Sequence, residues 1–270
     1  MISHLLFISA AIFSLLATWQ IVLAMRSPEQ PSRHQRNISL SVGMSILCTL
    51  FAILEHGFIG ATGLILTLTT VAGFTTILVQ NLYLIGMWQH GVRGLGLLLL
   101  PLTALPLLIL PFLPHTQSEL WIEASSFLAT GHLLLSLAGY AMLTMAALYA
   151  CMQLMLDHAL KQKKLGFLVQ AMPSLMDIGN HLFAHVRWSI WLLGLSILTG
   201  LFWQWLEMAH FALLNHKVLL SLFAWAVLLV LFHFRKKAAW HHQRASKMVL
   251  FAYISLMLAY FGVKLIQNLI

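Results

Sequence analysis

Residues 131–164 read GHLLLSLAGYAMLTMAALYACMQLMLDHALKQKK, and the fold class turns on what this stretch is. No Asp, Glu, Lys or Arg stands between Gly131 and Leu156, and the run closes on Asp157, His158, Lys161, Lys163 and Lys164. A helix needs roughly 20 mostly apolar residues to cross the hydrocarbon core of a bilayer. The run reads as a spanning helix over about 125–156, long enough to project beyond the membrane at its C-terminal end. His132, Ser136 and Tyr140 follow one another at four-residue steps and share one helical face.

The rest of the chain repeats the pattern. Of 270 residues, 60% are hydrophobic and 8% charged, whereas a soluble domain carries about a quarter charged residues. The apolar excess covers nearly the whole length and leaves no large soluble domain. Seven further candidate spans are about 2–25, 38–57, 62–86, 94–113, 188–206, 217–234 and 247–268. The predicted architecture is all-α: a polytopic transmembrane helical bundle of about eight spans. It forms a single integral membrane domain over 1–270, with four N-terminal spans in 1–113 and a second set in 125–270. The first 25 residues lack a basic n-region, since the first cation is Arg26, and they read as a retained helix. Pro101, Pro106 and Pro111 shape the fourth span.

The surplus of Lys and Arg, 15 against 7 acids, forms no basic stripe of the kind that binds nucleic acid. Its distribution sets topology instead. Arg26, Arg33, Arg36, Arg93, Lys161, Lys163, Lys164, Arg187, Arg235, Lys236, Lys237, Arg244 and Lys247 lie in alternate loops, and only Lys217 and Lys264 lie on the other side. The positive-inside rule puts the 13 in the cytoplasm and both termini on the outer, periplasmic side. Segment 161–187 begins basic and mixes apolar with polar residues. It suits a cytoplasmic interfacial helix broken near Pro173, or an extension of the fifth span followed by a turn.

The chemistry available is narrow. Cys48 and Cys151 lie in apolar runs and form no C-x-x-C, and no C-x-x-C-H is present, so any haem would be held without thioether bonds. No G-x-S-x-G, H-E-x-x-H or phosphate-binding loop occurs, which argues against a conventional hydrolase or ATPase. Ionisable groups within a membrane are costly and mark candidate sites. His132 opens the fifth span and His216 the seventh, both at the outer mouth, with FWQWLEM (202–208) between them. A bis-histidine pair is one way to hold haem iron, and Trp203 and Trp205 are suited to cover a porphyrin face. The same tryptophans also suit the aromatic belt of any membrane protein, and each histidine also suits a simple interfacial hydrogen bond. Lys217 is suited to a haem propionate or to a lipid phosphate. Glu55 and His56 form a neighbouring pair at the end of the second span, and His181 and His185 carry the i, i+4 spacing of a metal pair.

The stretch quoted above resembles the central helix of cytochrome c assembly membrane proteins, in particular the YpjD branch related to CcsA, CcmC and HemX. MPSLMDIGNHLF (172–183), ILTGLFW (197–203) and the C-terminal run from His216 to the AYFG at 259–262 are similar as well. The likeness covers roughly 60–270. It implies a bacterial inner-membrane protein that handles haem b non-covalently, with lipid and other haem-delivery or cytochrome maturation proteins as partners. In that family two outer-side histidines flank a tryptophan-rich loop and ligate haem; the likeness carries these roles onto His132, His216 and the loop 203–211. The better-studied members have a longer W-G-x-x-W-x-W-D motif than the FWQWLEM found here. The shorter loop motivates an alternative: a non-catalytic membrane partner or small-solute transporter subunit whose haem site has decayed.

Overall fold

The computed structural model describes residues 2–26, 31–56, 59, 63–109, 112, 120–123, 127–163, 166, 169, 172–208, 216–234 and 242–259. The described residues contain eight α-helices: α1 (Ile2–Arg26), α2 (Pro31–Glu55), α3 (Leu68–His90), α4 (Gly96–Ile109), α5 (Phe127–Lys161), α6 (Leu175–Met208), α7 (His216–Phe234) and α8 (His242–Met257). Two short strands, β1 (Gly63–Leu66) and β2 (Leu120–Glu123), pair as a two-stranded sheet. Among the described residues, five helices are long and apolar enough to cross a membrane: α1, α2, α3, α5 and α6. This is a helical membrane protein. His115, His210, His241, Pro111 and 260–262 of the AYFG run lie outside the described residues.

Several boundaries differ from those expected, each for a local reason. Helix α2 starts at Pro31 rather than near 38, because proline has no N–H to lose in a first helical turn. Arg33 and Arg36 therefore belong to the helix. Helix α3 starts at Leu68 rather than 62. Thr67 accepts the Thr70 N–H at 3.1 Å while the Thr70 hydroxyl accepts the Thr67 N–H at 2.9 Å, a reciprocal cap that fixes the first turn.

In the segment 161–187, where an interfacial helix or an extension of the fifth span was expected, residues 164, 165, 167, 168, 170 and 171 lie outside the described residues, and the ends of the segment are described. Helix α5 runs on to Lys161 and ends in a turn with Lys163 in the left-handed conformation. Past Pro173, Ser174 opens α6: its hydroxyl accepts the Asp177 N–H at 3.2 Å and donates to the Asp177 carboxylate at 2.6 Å. From there one helix runs unbroken for 34 residues. In its polar beginning, His181 and His185 pack on Tyr149 of α5, with ring centroids 5.3 and 5.2 Å away.

The chain forms two compact units. The first comprises Met1–Trp121 with Leu165–Pro173, the second Ile122–Lys164 with Ser174–Ile270. In the first unit α1 packs on α2 and α4, and α3 packs on α2 and α4. Phe7, Ala10, Ala11, Ala52, Ile53, Ala104 and Leu107 form its core. Small residues on α1 let backbones approach, so that Ser45 of α2 donates to the Ala10 carbonyl and Ser14 to the Leu100 carbonyl of α4, each at 2.9 Å.

In the second unit α5 packs on α6 and α8, and α7 on α6 and α8. Helices α5 and α6 are antiparallel, with Gly139 against Leu193 and Gln153 against Gly179. Helix α8 is tied to α5 by Tyr140 donating to the Leu256 carbonyl at 3.3 Å and Ser246 donating to Gln153 at 2.7 Å. Trp225 of α7 donates to the Ile190 carbonyl of α6 at 2.9 Å, with its indole against Gly194.

Candidate functional site

The polar face predicted on α5 points into the second unit. His132, in the second turn of the helix, reaches across to α6, and its Nδ1 stands 2.7 Å from the Ser196 carbonyl oxygen. Ser136 donates to the His132 carbonyl at 2.6 Å and pairs with the Ser196 hydroxyl at 2.7 Å. Thr199 also donates to the Ser196 carbonyl, at 3.0 Å. Gly200 lines the imidazole so closely that a Cβ there would meet Cε1 at 2.7 Å.

This geometry fixes which ring nitrogen carries the proton. A carbonyl oxygen only accepts, so Nδ1 at 2.7 Å from one must donate. Ser136 commits its single hydrogen to the His132 carbonyl, so the 2.7 Å contact between the serines is Ser196 donating to Ser136. The Ser196 hydroxyl oxygen, 3.3 Å from Nδ1, is then left with lone pairs facing the ring. Neutral His132 is therefore the Nδ1–H tautomer, and Nε2 is the lone-pair nitrogen, as in histidines that ligate metals through Nε2.

The aromatic residues part company. Trp203 stands three residues beyond Gly200 and seven beyond Ser196, on the stripe of α6 that faces His132. Its indole nitrogen is buried with no hydrogen-bond partner among the described residues. Trp205 is 52% exposed and leans on the exposed ring of Phe202, with centroids 6.0 Å apart.

His216 and Lys217 are the first two residues of α7, and their side chains lie outside the described residues. Their depth follows from the helix. Trp225 is level with Ile190–Gly194 of α6, and His216 is nine residues earlier, about 14 Å along the axis. The same rise along antiparallel α6 reaches the turn of Gly200 to Trp203. The backbone of His216 thus starts at the layer of His132.

His181 and His185 do share a helical face, but both rings are packed on Tyr149, and His185 Nδ1 donates to the His181 carbonyl at 2.7 Å. Among the described residues no third group of metal-ligating type joins them. His56 lies edge-on to Phe7, with centroids 6.1 Å apart.

Sequence reasoning missed Ser196 and Gly200. Ser196 acts largely through its carbonyl, which leaves no mark in a sequence. Gly200, in the ILTGLFW run, carried the weaker signal of a small residue within a spanning helix.

The residues present fit a haem on this side of the unit. They offer an imidazole with its proton on Nδ1 and a lone pair on Nε2, a glycine-lined slot for its ring and a buried indole N–H without a partner among the described residues.

Comparison with known proteins gives a consistent result. The Cytochrome C assembly protein family matches residues 2–270. The inner membrane protein YpjD of Escherichia coli strain K12 is 31% identical over 273 aligned positions, covering 96% of this chain and 99% of that protein. An uncharacterised 28.8 kDa protein in a nifR3-like 5′ region of Azospirillum brasilense is 30% identical over 141 positions, covering 52% of this chain and 51% of that protein. No solved structure matches the chain. The match along almost the whole chain and the run of apolar helices lead to one conclusion: the chain belongs to the cytochrome c assembly protein family, as a haem-related, multi-pass protein of the bacterial inner membrane.

Proposed function

We propose that this protein holds haem b non-covalently at the outer face of the membrane. His132 and His216 are the axial ligands, Trp203 and Trp205 the neighbouring aromatic rings, and Lys217 the partner of a haem carboxylate. The observation that supports this most is the His132 ring itself, which commits Nδ1–H to Ser196 and keeps a lone pair on Nε2. Bound haem supplies an iron centre whose axial positions take imidazole nitrogen. The chain's part is to orient His132, to shield one side of the site with Trp203 and to balance carboxylate charge with Lys217. Haem-delivery or cytochrome maturation proteins are the partners in this reading.

The topology that goes with it has eight spans and both termini outside, resting on the 13-to-2 division of Lys and Arg between alternate loops. Single cysteines placed in the 235–241 loop and at the C-terminus, probed with a membrane-impermeant maleimide on intact spheroplasts, test it. Labelling at the C-terminus alone is expected; labelling of the loop alone reverses the orientation.

Haem binding is tested by purifying the protein in detergent from haem-replete cells. A Soret band is expected in the wild type, weakened in His132→Ala and in His216→Ala. A band unchanged in the double variant removes both residues as ligands.

The exposed position of Trp205 favours a second reading, in which the chain is a non-catalytic membrane partner. Protein free of haem under those conditions, together with a stoichiometric co-purifying partner, selects it.

A further inference from the structure

The hydrogen bonds around His132 form a closed directional loop. The imidazole N–H goes to Ser196, the Ser196 hydroxyl goes to Ser136, and the Ser136 hydroxyl returns to the carbonyl of His132. Side chain and backbone of one residue are thus tied to backbone and side chain of another across a helix–helix interface. Ser136 has no hydrogen bond to the ring. Its two bonds go to the His132 carbonyl and to the Ser196 hydroxyl.

The direction of the loop has a chemical consequence. A serine hydroxyl facing an imidazole nitrogen at 3.3 Å can accept from it or donate to it. A donating hydroxyl favours the opposite tautomer, with Nδ1 bare and Nε2 protonated, which cannot ligate through Nε2. Ser136 removes that choice by engaging the Ser196 hydrogen at 2.7 Å, which turns the Ser196 lone pairs toward Nδ1–H. The interface is tight enough to keep the arrangement. Ser196 is 4% exposed, and Gly200 presses on the ring from the next turn.

We propose that Ser136 is a positioning residue that acts through Ser196 to hold His132 in the Nδ1–H form with Nε2 free to ligate. The tautomer lock is a property of the protein without ligand. Its consequence for affinity rests on the haem reading above.

The test separates the two. Protein labelled with nitrogen-15 histidine is purified in detergent without haem, and the His132 ring signals are assigned by their loss in His132→Ala. Long-range proton–nitrogen correlation then reports which ring nitrogen carries hydrogen. The wild type is expected to show protonated Nδ1 and bare Nε2. Ser136→Ala is expected to populate the opposite form, whereas Ser196→Ala removes the hydroxyl but keeps the carbonyl that accepts from Nδ1–H, and is expected to keep the wild-type form. The double variant is expected to return to the wild-type form, because Ser136 acts only through the Ser196 hydroxyl. Ser136→Thr keeps a hydroxyl able to reach the carbonyl four residues back and is expected to restore the wild-type signals. Alanine favours helix at both positions, so unchanged far-ultraviolet dichroism checks folding.

In haem-loaded protein Ser136→Ala is expected to release haem to apomyoglobin about 10-fold faster, the lower end of the effect of removing a partner behind a ligating histidine. A wild-type ring protonated on Nε2, or a ring unaffected by Ser136→Ala, overturns the proposal whatever haem does. A lock that responds to Ser136 in protein that takes up no haem leaves the proposal standing and overturns the haem reading.

Discussion

Gly200 and His132 occupy each other's space: a Cβ on Gly200 would lie 2.8 Å from Nδ1 of His132 and 2.7 Å from its Cε1. Separations below about 3 Å force something to move, and the ring is held at the same Nδ1 by the Ser196 carbonyl at 2.7 Å. Gly200→Ala should therefore break the Nδ1 hydrogen bond. On propensity alone the change favours the helix, by roughly 1 kcal/mol. The expected outcome is a protein that unfolds no more readily in detergent yet loses haem affinity by about 10-fold or more, as when a partner behind a ligating histidine is removed. Absorption titration with haem, run beside thermal unfolding, checks both halves. Unchanged affinity would show that the ring need not sit where Gly200 leaves room.

A second glycine makes a purely structural contrast. Gly96 opens α4 in the first unit, where an added Cβ would clash with the Tyr83 hydroxyl and with Ile21 at 2.5 Å. Tyr83 is 1% exposed and donates to the Arg93 carbonyl at 3.3 Å, so it has little freedom to yield. Gly96→Ala should cost about 1–3 kcal/mol through overpacking. Thermal unfolding in detergent reads the loss directly. An unchanged midpoint would mean that α1, α3 and α4 reseat easily around Tyr83.

The helical membrane class was legible in the sequence because hydropathy and length report on it directly. The inward aim of His132, Ser136 and Tyr140 was legible too, since four-residue steps are set by helix geometry. The unity of α6 was not. Asp177, His181, His185 and Arg187 looked like headgroup residues, and only the packing of the two imidazoles on Tyr149 reveals how a spanning helix accommodates part of that polar stretch. The parting of Trp203 from Trp205 was hidden for a related reason. Two residues apart on a helix means about 200° of rotation, so one ring of a W-x-W pair faces the interior when the other faces out. Which one does so depends on helix orientation, and here the Gly200 contact with His132 fixes it.

Gln80 supplies a prediction about a buried amide. It is fully buried, and its NH2 donates to Thr103 at 3.2 Å and to Ser14 at 3.4 Å, while both hydroxyls pass their hydrogens to the Leu100 carbonyl. Its carbonyl oxygen has no partner among the described residues. An unsatisfied buried acceptor costs about 1–3 kcal/mol, and each of two long hydrogen bonds returns about 0.5–1.5 kcal/mol. Gln80→Met, of similar length and without polar atoms, should leave the unfolding midpoint in detergent unchanged or raise it. A drop equivalent to several kcal/mol would reveal a donor that satisfies the Gln80 oxygen.

Asp157 stands near the C-terminal end of α5, where it receives Lys161 at 2.9 Å and also the amide of Gln243 on α8. The two partners are not equal. Lys161 is 60% exposed at its side chain, and an i, i+4 pair in water contributes about 0.3–0.5 kcal/mol. The Gln243 contact joins two helices and ends on a carboxylate 20% exposed, where a hydrogen bond to charge contributes about 1.5–3 kcal/mol before solvent screening lowers it. Lys161→Ala should therefore change stability by less than about 0.5 kcal/mol and fade further in salt. Asp157→Ala should cost about 1–2 kcal/mol and resist salt, since it also strips Gln243 of its acceptor. Denaturation of both variants in detergent at low and high ionic strength decides the matter. Equal losses that vanish together in salt would assign the whole effect to the surface ion pair and none to the tie between α5 and α8.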